Sequence, residues 1–267
     1  MKIGFIGTGN MGTAIIRGLI ESKFVPNENI VIFDLDKTKM NLLKNEYSIN
    51  LADNEIELVK QIDIIILAVK PHIYPVVLEK IKDFIEVNTL ILTIAAGFKI
   101  ESVEKIIGAD KKIIRTMPNV TAQVLEGMTA VSFNKNIENS DKEIIFKLLS
   151  SFGKFVEMDE NLIHAHTGIS GSLPAYAYIF MEALADAGVL EGMPRDKVYE
   201  IVAQSVLGSA KMLLETKKHP AQLKDEVTSP AGTTIEAIKI LENGNFRGTV
   251  INAVHACVEK SKKLAGE

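Results

Sequence analysis

One cysteine, Cys257, is the whole thiol content of this 267-residue chain. A single thiol excludes an internal disulfide and fits a reducing compartment. It lies in the apolar run Val254–Val258, which suits a buried structural thiol better than a nucleophile. There is no His-Glu-x-x-His and no cysteine cluster. His164 and His166 stand two residues apart, so a helix would turn them to different faces, and no metal site is expected. No Gly-Lys-Ser/Thr occurs, which excludes a P-loop, and Gly168–Ser172 is not the Gly-x-Ser-x-Gly of a nucleophile elbow. A basic stripe with interleaved aromatics is also missing, and the formal net charge is −4. Nucleic acid and an anionic membrane surface are therefore not expected partners. Apolar runs stop short of the roughly 18–20 residues needed to span a bilayer. Gly4, Gly7, Gly9, Asn10 and Gly12 interrupt the N-terminal stretch where a secretory signal would be continuous. The expectation is a cytoplasmic globular protein without a membrane anchor. At 47% hydrophobic and 24% charged residues, it is long enough for one large domain or two modest ones.

What is present begins with Lys2–Ile6, a short run of β-formers, followed at once by Gly7-Thr8-Gly9-Asn10-Met11-Gly12. Met11, Ala14, Ile15, Gly18 and Leu19 then fall on one helical face. Strand, glycine turn and helix in this order are what the dinucleotide fingerprint Gly-x-Gly-x-x-Gly requires. In that motif the first glycine makes the turn, the second admits the pyrophosphate, and the third lets helix pack on strand. A second strand, Asn29–Phe33, ends at Asp34, about 20 residues past the last glycine, where such folds place the acid that accepts from the ribose hydroxyls. A carboxylate there favours NADH and repels the 2′-phosphate of NADPH, with Lys37 and Lys39 as partial offsets. The alternative for Asp34-Leu35-Asp36 is a plain acidic turn. Asn54, in a turn before a short helix, could reach the adenine side.

Gln61–Val69 and Thr89–Ile94 are continuous aliphatic runs, the mark of parallel strands buried on both faces. The first leads through Ala68 and Val69 into Lys70-Pro71, the second into Ala95-Ala96-Gly97. Ligands of doubly wound sheets sit at the carboxyl ends of strands, so both segments are expected around the same cofactor as Gly7–Gly12. Lys112–Thr116, Gly127–Phe133 and Lys154–Met158 read as further strands. Between them Ser140-Asp141-Lys142-Glu143 reads as a capping box, opening a helix to Phe152 with Gly153 as its stop. Alternating strand and helix imply an α/β domain with a largely parallel sheet, residues 1–160. Beyond Glu160 strand signals vanish. Gly168–Pro174 reads as a flexible kink, followed by helices over Ala175–Ala187, after Pro194 and over Thr249–Leu264. Residues 161–267 are expected to be an all-α domain whose Ala, Gly and Met content suits close packing against a second subunit. The fold class is thus an α/β Rossmann dinucleotide-binding domain followed by an all-α helical domain.

Within the helical part, Val227-Thr-Ser-Pro-Ala-Gly-Thr-Thr-Ile-Glu-Ala237 passes from loop to helix. At that junction Gly232-Thr233-Thr234 would present free backbone N–H groups at the positive end of a helix dipole, a place for a carboxylate or phosphate. The alternative is an ordinary start with Thr233 as N-cap and Glu236 as its capping-box partner.

Thr167-Gly-Ile-Ser-Gly-Ser-Leu-Pro-Ala-Tyr-Ala-Tyr178, Ala183-Leu-Ala-Asp-Ala-Gly188 and Gln222-Leu-Lys-Asp-Glu-Val-Thr-Ser-Pro-Ala-Gly-Thr-Thr234 resemble pyrroline-5-carboxylate reductases. Ile3–Gly12, Leu67–Pro71 and Ala95–Gly97 match the same family in the same order. The resemblance spans essentially the whole chain. It implies reduction by NAD(P)H, with Asp34 leaning towards NADH, of L-1-pyrroline-5-carboxylate to L-proline. Cofactor contacts are then expected from Ile6, Gly7, Thr8, Gly9, Asn10, Met11, Gly12, Asp34, Asp36, Asn54, Ala68, Val69, Lys70, Pro71, Ala95, Ala96 and Gly97. Substrate contacts are expected from Ser229, Gly232, Thr233, Thr234 and Glu160, with the Thr234 hydroxyl at the ring nitrogen as the catalytic group. For Glu160, a capping acid is an equal alternative. The resemblance also implies a homodimer that assembles further, commonly to a decamer. The partner's helical domain would complete each site. Some relatives carry an acid where this chain has Lys217, so no role passes to that residue. A β-hydroxyacid dehydrogenase would need a lysine on the helix after the domain junction, and Glu160–Gly171 holds none. A dinucleotide-binding sensor without chemistry would have lost the substrate stretch, and Ser229–Thr234 is complete.

Overall fold

The computed structural model describes residues 1–95 and 97–266. They form two compact units, one of residues Met1–Ser172 together with the last helical turns from Cys257 on, the other Leu173–Ala256. The division falls at Ser172 rather than at Glu160, and the end of the chain returns to the first unit.

The first unit is a sheet of eight strands in the order β3-β2-β1-β4-β5-β6-β7-β8. These are β1 Ile3–Ile6, β2 Ile30–Phe33, β3 Asn50–Leu51, β4 Ile64–Leu67, β5 Leu90–Thr93, β6 Lys112–Met117, β7 Gly127–Phe133 and β8 Gly153–Glu157. Every neighbouring pair is parallel except β6 with β7. The helices between them are α1 Asn10–Glu21, α2 Lys37–Tyr47, α3 Glu55–Val59, α4 Tyr74–Ile81, α5 Ile100–Ile107 and α6 Asn139–Ser150. β1, β2, β4 and β5 are buried at every residue, because helices on both faces leave no solvated side for a polar alternation. Register aligns the strand ends: Ile6 lies beside Phe33 and Leu67, and Leu67 beside Thr93. The turns after β1, β2, β4 and β5 consequently emerge along one edge, beside the change of direction between β1 and β4 that makes the usual ligand crevice.

Two local expectations change here. The capping box of α6 joins Glu138 and Asp141, two residues earlier than Ser140: the Glu138 side chain accepts from the Asp141 amide, and the Asp141 side chain accepts from the Glu138 amide. That helix ends at Ser150, and Gly153 opens β8 at φ +146° instead of terminating a helix.

The helical part does not break at Gly168–Pro174. A 3₁₀ turn at Glu160–Leu162, α7 at Ile163–His166, a π-turn at Thr167–Gly171 and α8 at Leu173–Leu190 run on as one helical stretch. The wider turn absorbs the small-residue segment that reads as a kink. The 31 residues of Glu160–Leu190 are in consequence long and apolar enough, by length and composition, to cross a membrane. α9 Arg195–Thr216, α10 Pro220–Glu226, α11 Thr233–Asn243 and α12 Phe246–Leu264 complete the order. Of the described residues in the second unit, only Pro174, Ala185 and Val198 are buried.

Candidate functional site

In the first unit the glycine turn is built as its chemistry requires. Gly7 takes φ +97°, and a side chain there would meet the Ala68 backbone at 2.7 Å. At Gly12 a side chain would meet the Gly7 carbonyl at 2.7 Å, so α1 lies hard against the turn. Gly9 differs: a side chain there would meet nothing within 4 Å, which leaves open space over the loop. It is also the N-cap of α1, offers no capping side chain, and no acidic residue follows in the first helical turn. Uncapped amides, a positive dipole end and room above them suit a diphosphate. Asn10 and Met11 lie in that first turn, and Ile6 ends β1. The chain's own residues fit a dinucleotide at this place.

Asp34 locks the same loop. One carboxylate oxygen accepts from the Thr8 amide at 2.6 Å and the Thr8 hydroxyl at 2.9 Å, and the other accepts from the Asp36 amide at 3.0 Å. Burial pushes the Asp34 carboxyl up, but the amides of Asp36 and Thr8, the Thr8 hydroxyl and nearby Lys39 outweigh it and hold the group below its ordinary value. The residue stays ionised at neutral pH. A cavity of about 200 Å³ opens beside it, lined by Phe33, Asp34, Lys37, Met40, Asn41, Leu51, Ala52 and Asp53. Met40, Asn41 and Ala52 drew no notice in the sequence; Met40 is a buried residue of α2.

Asp36 and Asn54 each have a local task. Asp36 caps α2 by accepting from the Lys39 amide, and Asn54 caps α3 by accepting from the Glu57 amide, both at 3.0 Å. Ala68 and Val69 follow β4, and Lys70 is the N-cap of a 3₁₀ turn that Pro71 begins. Ala95 is buried just past β5, and Gly97 adopts φ +79°. Ala96 lies outside the described residues. A larger cavity, about 790 Å³, opens among α5, β7 and β8 and contains none of the expected cofactor residues; of the expected site residues it includes only Glu160.

In the second unit the stretch expected to meet the substrate forms a tight turn. Gly232 N–H donates to the Ser229 carbonyl at 3.1 Å, and Ala231 takes φ +54°. A side chain on Gly232 would come within 2.3 Å of the Ser229 Oγ, so the hydroxyl of Ser229 stands directly at the start of α11. The N-cap of α11 is Gly232 and no side chain caps it; Thr233 and Thr234 are the first two helical residues. The alternative start, with Thr233 as cap and Glu236 as partner, is not adopted. Ser229, Gly232, Thr233 and Thr234 are thereby gathered around one open helix terminus. Lys217 ends α9 at φ +55° as its C-cap.

Glu160 belongs to the first unit. Its Oε1 accepts from the Ile100 amide and from Arg115 Nη1, each at 2.8 Å. It thereby satisfies the amide of the first residue of α5.

Comparison with known proteins shows the family of the chain. Residues 160–264 match the family model described as pyrroline-5-carboxylate reductase dimerisation, and residues 2–97 match one described as NADP oxidoreductase coenzyme F420-dependent. The pyrroline-5-carboxylate reductase of Escherichia coli (strain K12) is 46% identical over 264 residues, covering 99% of this chain and 98% of that protein. Among solved structures, a Plasmodium falciparum pyrroline carboxylate reductase with NADP bound superposes with a TM-score of 0.90 at 35% identity, covering 99% and 98%. A pyrroline-5-carboxylate reductase from Coxiella burnetii gives 0.93 at 34% identity over the same shares. At such identity over whole chains, the protein belongs to the pyrroline-5-carboxylate reductase family.

Proposed function

We propose that the protein reduces the cyclic imine of L-1-pyrroline-5-carboxylate to L-proline with NADH or NADPH, in the cytoplasm and as an oligomer. The observation that supports it most is the uncapped start of α11 at Gly232–Thr234, where a carboxylate-bearing substrate is expected. When bound, the nicotinamide supplies the hydride that reduces the imine carbon. The chain's own part is placement. Backbone N–H groups at Thr233 and Thr234 hold the carboxylate, with the Ser229 hydroxyl beside them. The Thr234 hydroxyl meets the ring nitrogen. A threonine hydroxyl is too weak an acid to supply the proton, which comes from water or arrives with an already protonated imine. Orientation of two reactants can supply roughly 7–11 kcal/mol at best.

Cofactor choice leans to NADH through Asp34, an ionised carboxylate facing the cavity that carries Lys37 and Asn41. A 2′-phosphate beside it would be repelled. The substrate half of each site comes, on the family reading, from the partner copy.

The test is oxidation of NADH and of NADPH by the purified protein with pyrroline-5-carboxylate, with proline identified as product. Turnover with wild-type protein and its loss in Thr234→Ala, with fold and nucleotide binding retained, is the expected result. Wild-type rates in Thr234→Ala would remove that hydroxyl from the reaction, and no turnover with either nucleotide would overturn the proposal.

A further inference from the structure

Three buried polar side chains behind the cofactor edge have no part in the reaction as described: Tyr74, Arg115 and Thr116. Tyr74 is fully buried at the start of α4. Its hydroxyl donates to the Leu67 carbonyl at 2.5 Å and accepts from the Ile94 amide at 3.1 Å. Leu67 is the last residue of β4, directly before Ala68–Pro71, and Ile94 directly precedes Ala95. One hydroxyl thus staples the two segments that the resemblance assigns to the cofactor. Burial holds the phenol well above its ordinary value, against the opposing pull of the Ile94 and Ala95 amides, so it keeps the proton that it donates. The Tyr74 ring also packs on Phe98, the residue directly after the second segment, with centroids 5.1 Å apart.

The chain just past that segment is held by another device. Ile100, the first residue of α5, gives its amide to Glu160, and Glu160 is fixed by Arg115. The Arg115 side chain is 1% exposed, and neither its Nε nor its Nη2 finds a partner among the described residues. A buried guanidinium is costly to stability even when paired, which points to a use beyond stability. The Thr116 hydroxyl, one residue along β6, donates to the Thr93 carbonyl at 2.8 Å and pins the end of β5 from which the segment departs.

We propose that Tyr74 and the Arg115–Glu160 pair are positioning residues for the nicotinamide dinucleotide: they clamp residues 94 and 100, which flank the second cofactor segment, and Tyr74 ties it to the first. Glu160 in this assignment acts on the cofactor side, through a backbone amide, and does not touch the imine. The inference rests on the cofactor reading above.

The experiment uses the full-length protein. Dissociation constants for NADH and NADPH are measured by fluorescence titration, and backbone hydrogen exchange of residues 94–100 is followed without nucleotide. Tyr74→Phe keeps the ring against Phe98 and removes only the hydroxyl. Ile145→Val, one methyl removed from the core on α6, is the control for a general loss of stability. Tyr74→Phe is expected to speed exchange at 94–100 and weaken nucleotide binding about fivefold (about 1 kcal/mol), with the KM for the imine unchanged at saturating nucleotide. Unchanged nucleotide binding in Tyr74→Phe would overturn the inference, as would a weakening that Ile145→Val matches at equal loss of melting temperature. Glu160→Ala is expected to free the Ile100 amide and weaken nucleotide binding in the same way. A raised imine KM with nucleotide binding intact would instead return Glu160 to the substrate and overturn that half. Where Glu160→Ala does not fold beside an unpaired Arg115, Tyr74→Phe decides. Wild-type protein that binds neither nucleotide overturns the cofactor reading, a separate failure visible before any variant is made.

Discussion

Leu67 and Leu190 are the same residue in one chain, the first fully buried in a parallel strand and the second 84% exposed at the end of α8. The contrast holds across their units. The sheet unit closes over Phe5, Ile15, Leu19, Ile66, Leu92 and Ile114, all without exposure. The helical unit leaves Tyr178, Ile179, Leu207, Leu214 and Ile251 open to solvent. Burying such a side chain is worth about 1.5–3 kcal/mol, so the first unit holds its own core and the second withholds that stabilisation until something covers it. The family model over residues 160–264 is one of dimerisation, which supports oligomerisation. It also gives a reading of Glu160–Leu190 other than a membrane span, whose 18 most apolar residues are 11% buried in the chain itself.

The comparison breaks most readily at the open helical faces. Ile179→Glu with Leu207→Glu is expected to lower the mass in solution, read by light scattering, and to reduce turnover about 100-fold or more through lost assembly. Val76→Glu, a 68% exposed site on α4 of the sheet unit, should change neither. Leu92→Ala would probe the closed core and is expected to cost about 2–5 kcal/mol in chemical denaturation, whereas Leu190→Ala should cost the isolated chain close to nothing.

Smaller changes sharpen the picture of the cofactor half. Asp34→Ser should shift the ratio of NADH to NADPH turnover towards NADPH about tenfold by removing the carboxylate charge. An unchanged ratio would mean that Asp34 serves only to anchor Thr8. His166 gives the smallest effect. Its ring is buried, neither nitrogen has a partner among the described residues, and burial lowers its pKa. A base with a depressed folded pKa binds fewer protons folded than unfolded. Its stabilisation is therefore complete above the unfolded value near about 6.5 and falls as the pH drops below it. The melting temperature should fall between pH 7.5 and 5.5, and fall less in His166→Leu.

Much of this was legible in the residues. The all-aliphatic runs around Ile64–Leu67 and Leu90–Thr93 could only be two-sided strands, and Gly7–Gly12 could be placed because strand, turn and helix came in sequence. The start of α11 was legible as a loop-to-helix change, but not its cap, because Thr233 and Gly232 are both acceptable N-caps and the choice follows from the turn that Ser229 makes. Glu160 shows the limit. Its two partners lie 60 and 45 residues away, on α5 and β6, and no local pattern announces a bond that only the sheet order creates. Tyr74 is similar: a tyrosine at a helix start gives no sign that its hydroxyl will bridge the ends of β4 and β5.

The division of labour itself can be tested by complementation. Gly9→Asp puts a carboxylate into the open space above the glycine turn, and Gly232→Asp puts one at the open N-cap of α11, where it competes with the substrate. Each variant alone should be nearly inactive. Unfolded together and refolded as mixed oligomers, they should recover activity towards roughly a quarter of wild type, since half of randomly paired dimers would carry one intact site. Mixed oligomers that form but stay inactive would contradict a site completed by a second copy.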